Sequence, residues 1–471
     1  MPPASPETIR RPIDIPPGDL AGRIGGWDGP ALLEGGPGLG QAGRWSLLAA
    51  RPRGVFESID GAGSRFSGAG PGSAGRGDAL DDLARLARRL RLADPRDDPG
   101  PDGPPFRGGL IGHLGYDLAP ALERLPRRAP ADSRLPAIRF GLYDTFVLVD
   151  HHAGTSELWA VDLLNEGARA VRNRWDRWRA DLNQAPAPFL HPSLSDPAGE
   201  TDREDYLAMV RRALAYIRAG DIYQANLSHR FVARGRVDPL DLHRRLKSAS
   251  PAPYAAFLRW DDLAIVGASP ELFYQTRGDR IETRPIKGTR PRSADPVEDL
   301  RLADELRGSI KDRAELTMIV DLERNDLGRV CRFGSVRVVD PWAVESFEEV
   351  HHLVATVEGR LAPGVGPAEV VRAVFPGGSI TGAPKIRARE IIDELEPRRR
   401  SVYTGAVGYL SRGGLSAFNI AIRTILVEGD RVSYQVGGGI VADSEPEAEY
   451  AETLDKGRGL RRAIEGCGGS R

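Results

Sequence analysis

Ser416-Ala-Phe-Asn-Ile-Ala-Ile-Arg-Thr-Ile-Leu-Val-Glu-Gly-Asp-Arg-Val-Ser-Tyr434 is dense in β-branched and aromatic residues and is punctuated by Gly429-Asp430. Such a run predicts consecutive antiparallel strands joined by a tight turn. Working back from it, strands are expected at Leu263–Ala268 and Gln224–Val232, and a helix at Asp202–Ala219. Residues 184–201 (QAPAPFLHPSLSDPAGET) read as a linker. Before the linker, a helix is expected over Gly167–Asn183, strands at Ser156–Val161, Phe140–Val149 and Gly109–Leu114, and an amphipathic helix over Asp78–Ala93. Asp94–Pro105 reads as a connector and 61–78 as a loop. Apolar stretches within 27–60 read as hairpins, and residues 1–20 as a flexible lead-in. Helices and strands are interspersed without regular βαβ alternation. The fold class is therefore α+β, with large antiparallel β-sheets and flanking helices.

Composition narrows the function. A net charge of −1 gives no electrostatic reason to expect nucleic acid or an anionic membrane as partner. No apolar run is long enough for a membrane helix, and the N-terminal residues lack a signal core, so a cytoplasmic protein is expected. Two cysteines, Cys331 and Cys467, are too few for a disulfide framework or a thiolate zinc site. Of the 65 basic residues only five are lysine: Lys247, Lys287, Lys311, Lys385 and Lys456. In a chain that defaults to arginine, a lysine marks a place where an amine able to lose its proton is useful.

Five segments between 220 and 460 carry chemistry. In Thr283-Arg-Pro-Ile-Lys-Gly-Thr-Arg-Pro-Arg292, Lys287 sits between Ile286 and Gly288. Desolvation there would free the amine as a nucleophile, although a surface lysine in a basic loop has the same local sequence. In Lys311–Asp326, Glu315 shares a helical face with Met318, Ile319 and Leu322, which requires a cation, a metal or an arginine partner. In Glu447–Lys456, Glu449, Glu452 and Lys456 fall along one helix edge, as a Mg²⁺ site or a solvated acidic edge would. Pro376-Gly-Gly-Ser-Ile-Thr-Gly-Ala-Pro-Lys385 and Gly437-Gly-Gly439 could cradle an anion or admit a flat ligand, or be ordinary turns.

Together these segments resemble the chorismate-utilising family, which includes anthranilate synthase component I, aminodeoxychorismate synthase component I, and isochorismate and salicylate synthases. Phe106-Arg-Gly-Gly-Leu-Ile-Gly-His-Leu-Gly-Tyr-Asp117 and Glu123-Arg-Leu-Pro126 resemble its N-terminal lobe. The resemblance implies a two-lobed fold: a lobe at 1–183, the linker at 184–201 and a chorismate-binding catalytic domain at 202–465. Gln224 stands where water-activating branches carry lysine. Pro285-Ile-Lys-Gly-Thr289 reads as the aminodeoxychorismate branch does, where anthranilate synthases usually have alanine for Lys287.

The implied roles follow residue by residue. Glu271 acts as general acid toward the 4-hydroxyl of chorismate and Lys287 as covalent nucleophile at C2, with His352 matching an active-site histidine. Glu315, Glu449 and Glu452 hold Mg²⁺. Arg423, Lys456, Gly438 and Gly439 bind carboxylates, and Thr289, Ser379, Thr381 and Gly382 surround the ring. The implied product is 4-amino-4-deoxychorismate, for 4-aminobenzoate and folate; anthranilate is the competing product. Neither cysteine lies in a glutaminase motif, so a glutamine amidotransferase subunit is the expected source of ammonia. The family's tryptophan-binding Leu-Leu-Glu-Ser element reads Leu32-Leu-Glu-Gly35 here, with glycine for serine.

Overall fold

The computed structural model describes residues 7–70, 74–75, 77–92, 100, 102–123, 125–186 and 192–467. These residues form two antiparallel sheets of 13 and 12 strands. The stretch 416–434 turns out to pass from one sheet to the other. Leu415–Ile420 belongs to the 12-stranded sheet, and Thr424–Glu428 and Arg431–Ile440 to the 13-stranded one. The crossing occupies 421–423, where Arg423 takes a φ of 50°, a left-handed conformation uncommon for a bulky side chain.

A second crossing corrects the single strand expected at Phe140–Val149. It is two strands, Ile138–Tyr143 and Thr145–Asp150, one in each sheet, parted at Asp144. Along Thr145–Asp150, Phe146 and Leu148 face the apolar cluster shared by both sheets. Val147 and Val149 face the cluster beneath Trp175 and Trp178. Both faces are covered, so hydrophobicity is continuous and alternation hides in which core each side chain joins.

Other expectations need amendment. The lead-in contains a strand, Thr8–Pro12, paired with Thr155–Val161, and a helix, Pro17–Ile24. Part of the expected loop 61–78 is the strand Ser64–Gly68, paired with Gly54–Ser58. Ala31–Glu34 does pair with Trp45–Ala49 as a hairpin, but Gly54–Ser58 lies in the other sheet. Most of the connector at 94–105 lies outside the described residues. Within the expected linker, Ser193–Leu194 and Ala198–Gly199 pair with Gln224–Arg236.

Strands from both sides of 184–201 share each sheet. Ala31–Glu34 pairs with Ala255–Leu258 in the first, and Gly109–Leu114 with Ala406–Ser411 in the second. No helix among the described residues is long and apolar enough to cross a membrane.

The chemistry-bearing segments lie on seven elements: Gln224–Arg236 (β1), Ile286–Pro291 (β2), Ile310–Gly328 (α1), Val350–Arg360 (β3), Lys385–Leu395 (α2), Arg431–Ile440 (β4) and Pro446–Glu465 (α3). β1 pairs with β4 along ten residues, and β2 pairs with β3.

Candidate active site

β2 carries a bulge at Gly288. Lys287 faces Leu353 and Thr289 faces His352 across the ladder, with Gly288 as the extra residue at φ 75°. A Cβ at Gly288 would lie 2.8 Å from both Asp312 Cγ and Leu306 Cδ1, so only glycine fits. The bulge re-aims the side chains that flank it. Lys287 makes no hydrogen bond or ion pair among the described residues. Burial pushes its pKa down, against the opposing pull of Glu315, Glu271 and Glu452 and with the help of Lys456. Those four residues come from three other parts of the chain, so the structure brings the expected groups around one amine.

Glu271 is buried. Burial pushes its carboxyl up to about 7, moderated by Ser379, Lys287, the Ile286 amide and Lys456. Ser379 Oγ donates to Glu271 Oε1 at 2.7 Å. Near neutral pH this carboxyl is part protonated, while the neighbouring amine gives up its proton more readily than an exposed lysine. A proton donor and a nucleophile are thereby available together.

The glycine run on β4 gives the site its open wall. A Cβ on Gly439 would lie 2.9 Å from Gln224 Nε2 and 3.7 Å from Lys287 Nζ; one on Gly438 would lie 3.0 Å from Glu449 Oε2 and 3.9 Å from Lys456 Nζ. Side chains at these two positions would fill the space beside the reactive amine. Lys456 Nζ pairs with Glu452 Oε1 at 2.7 Å and donates to Gly437 O at 3.2 Å. Glu449 Oε1 accepts from Ser444 Oγ at 2.6 Å.

The three carboxylates expected to share one ion do not form a three-donor cluster among the described residues. Glu449 and Glu452 are coupled one turn apart on α3. Glu315 approaches Lys287 from α1 and makes no hydrogen bond or ion pair among the described residues. The pair on α3 suits Mg²⁺, which commonly takes one or two carboxylates and completes its shell with water and substrate oxygens. Glu452 would have to exchange Lys456 for the ion, and Glu315 would have to turn to join.

Arg423 emerges from the sheet crossing with no ion pair or hydrogen bond from its guanidinium among the described residues. Burial pulls its pKa down, with only Tyr403 opposing. A desolvated guanidinium of this kind suits a carboxylate. His352 Nδ1 lies 3.0 Å from Thr289 Oγ1. Burial, reinforced by Arg423, pushes the imidazole down to about 4 against a hydrogen bond with the Gly288 backbone. It is neutral at pH 7 and can orient or accept, not deliver a proton. Thr381 Oγ1 donates within its own turn to Gly377 O at 2.9 Å, so the hydroxyl proton is not available to a ring. Gly382 is structural: a Cβ there would lie 2.1 Å from Gln224 O.

Sequence reasoning passed over several residues. Glu323 is buried, accepts from Thr283 Oγ1 at 2.8 Å, and is pushed well above the usual carboxylate range by burial and by Glu271. It lies four residues from both Ile319 and Leu327, so the rule that singled out Glu315 also flags it. Ser444 was missed, and nothing in its sequence marks it. Gln224, noted for what it replaces, is fully buried with neither side-chain polar atom hydrogen-bonded. In the Leu32–Gly35 element, Glu34 is held by His243 at 2.6 Å and Lys247 at 2.7 Å. A Cβ at position 35 would lie 2.3 Å from Gly43 O, so the local backbone has no room for serine.

Comparison with known proteins fits this geometry. The chain is 45% identical over 378 residues to aminodeoxychorismate synthase component 1 of Klebsiella aerogenes, covering 80% of this chain and 82% of that one. It is 42% identical over 428 residues to anthranilate synthase component 1 of Thermus thermophilus, covering 90% of each. Among solved structures, anthranilate synthase component I from Streptococcus pneumoniae superposes with a TM-score of 0.78 at 32% identity, over 89% of this chain and 92% of that one. The profile of the chorismate binding enzymes matches residues 46–462, and this chain belongs to that family.

Proposed function

We propose that the chain is an aminodeoxychorismate synthase component, converting chorismate and ammonia to 4-amino-4-deoxychorismate and water. One observation carries the reading: buried Glu271, bonded to Ser379 and pushed up to about 7, and Lys287, pushed down, lie close enough for each to shift the other's titration. Arg423 and Lys456 receive the substrate carboxylates beside the open wall at Gly438 and Gly439. Glu271 passes its proton to the 4-hydroxyl, which departs as water while the neutral Lys287 amine bonds to C2. Ammonia then adds at C4, the C2–N bond breaks to release the lysine, and the proton shed by the new amine returns to the Glu271 carboxylate. Mg²⁺ on Glu449 and Glu452, with Glu315 in reach, would neutralise the ring carboxylate.

Lys287 is the residue by which the resemblance points to amination at C4 in this site. A covalent bond from Lys287 to C2 shields that carbon from ammonia and directs amination to C4. The alternative, amination at C2 to anthranilate, draws support from the Thermus relative. Product analysis with chorismate, Mg²⁺ and ammonium decides: anthranilate, read by its fluorescence, would overturn the proposal. Lys287→Arg should abolish turnover because a guanidinium stays protonated; an active arginine variant that forms no adduct with chorismate would remove the covalent step.

Ammonia would come from a separate glutamine amidotransferase. Burial pushes the Cys331 thiol up to about 11 and raises Cys467 as well, the reverse of what a glutaminase nucleophile needs. The purified chain should use ammonium and not glutamine.

A further inference from the structure

Helix α2 borders a second cleft, narrow inside and open to solvent at its mouth, that includes none of the residues assigned above. Its lining includes Tyr116, Leu125, Pro126, Arg389, Ile392 and Arg400. Arg389 is 3% exposed, yet none of its three guanidinium nitrogens meets good hydrogen-bond geometry with a partner among the described residues. The nearest carboxylate oxygen, Glu123 Oε2, stands 3.7 Å away, beyond hydrogen-bond length, and is itself without a hydrogen bond. Burial pulls the pKa of Arg389 down, opposed by the charges of Tyr116 and Glu123 and by a weak side-chain contact with the Tyr116 hydroxyl, which fills at most one position of the guanidinium fork.

Its neighbours contrast with it. Arg400 donates to Glu396, Ile380 O, Asn226 O and Thr404. Arg399 donates to Ala129 O at 2.7 Å, Arg127 to Asp60 O at 3.5 Å, and Arg398 approaches Glu200 at 3.9 Å. The cleft's carboxyls are also occupied or partly neutral. Asp393 accepts from the Arg128 amide, Glu396 from Arg400 and Ser228, and burial pushes Asp117 up to about 6. What remains is one enclosed guanidinium with most of its fork unfilled, facing a lining with prolines and a leucine. A buried cation without a hydrogen-bonded counter-charge is costly, and a guanidinium fork matches a carboxylate with two parallel bonds. Phosphate would ask for more donors than the lining offers.

We propose that this cleft binds a small organic carboxylate, its oxygens on Arg389 and its apolar body against Pro120, Leu125 and Pro126. The site is separate from the chorismate pocket and independent of which product that pocket makes.

The test titrates the full chain with benzoate, and in parallel with inorganic phosphate, by calorimetry and thermal shift. Saturable benzoate binding is expected, weakened at least about tenfold in Arg389→Met, whose chorismate turnover should match the wild type. Arg389→Lys, which keeps the charge and loses the fork, serves if the methionine variant does not fold, and should weaken benzoate several-fold. No saturable benzoate binding would overturn the proposal, as would binding of phosphate in preference to benzoate. Benzoate binding that survives both substitutions would place it in the chorismate pocket and would also overturn it.

Discussion

Glu271 and Glu452 are the same side chain in one site, and their carboxyls are displaced in opposite directions. Glu271 is enclosed, its main hydrogen bond comes from a neutral hydroxyl, and burial dominates, lifting it to about 7. Glu452 lies on the open edge of α3, where Lys456 one turn later outweighs desolvation and holds it below the usual range. Glu449, three residues from Glu452 but buried and bonded to Ser444, rises again. Enclosure makes a proton donor, and an exposed neighbouring amine makes a permanent anion suited to holding cations. The division of labour comes from surroundings and not from residue type.

Removing the donor should have the largest effect. Glu271→Gln keeps the shape and should lower kcat about 10²–10⁴-fold, with chorismate binding retained in an equilibrium titration; a variant within tenfold of wild type would end the contrast.

The same substitution probes stability. The folded carboxyl titrates above its unfolded value of 4.5, so the native state holds the proton more tightly. Wild-type stability therefore falls as pH rises from about 4.5 to about 7, and stays reduced above. Glu271→Gln escapes this loss and should be the more stable protein at pH 8, by up to about 3 kcal/mol. The two should converge at pH 4; denaturant melts at both pH values check it.

On the other side of the comparison, Glu452→Gln should weaken Mg²⁺ binding, read by calorimetry without substrate, about 10–100-fold. An unchanged affinity would leave Glu452 as a partner of Lys456 alone. The smallest effect belongs to Ser379→Ala. Loss of its hydrogen bond removes an influence that lowers Glu271, so the basic limb of the kcat profile should move to higher pH.

Legibility in the sequence was uneven for physical reasons. Helices with one apolar stripe were placed closely: Gly167–Asn183 was expected and Ala168–Leu182 observed. Strands covered on both faces were not, because Phe140–Val149 is mostly apolar on either side of Asp144 and its change of sheet there leaves no periodic trace. Arg423 owes its position to the crossing at 421–423, and only resemblance, not pattern, singled it out. The helix-edge reading of Glu449, Glu452 and Lys456 placed three groups on one wall, since an edge at 3.6 residues per turn is a local property. Their separation from Glu315 depends on how α1 and α3 meet across the site, which no local pattern contains. Arg389 was invisible for the opposite reason: among so many arginines, a buried one left short of hydrogen bonds cannot be told apart until the others have found their partners.

The shared sheets also set a timetable for synthesis. One edge of Gly109–Leu114 pairs early with Ile138–Tyr143, but the other finds its neighbour in Ala406–Ser411, about 290 residues later on the ribosome. At about 5–20 residues per second, that strand waits about 15–60 s with an unpaired edge. Ala31–Glu34 waits almost as long for Ala255–Leu258. An emerging chain in this state presents two apolar strand edges to every other nascent copy nearby. The yield of this protein in a cell should thus depend on what shields residues 31–34 and 109–114 in that interval, before any of the site exists.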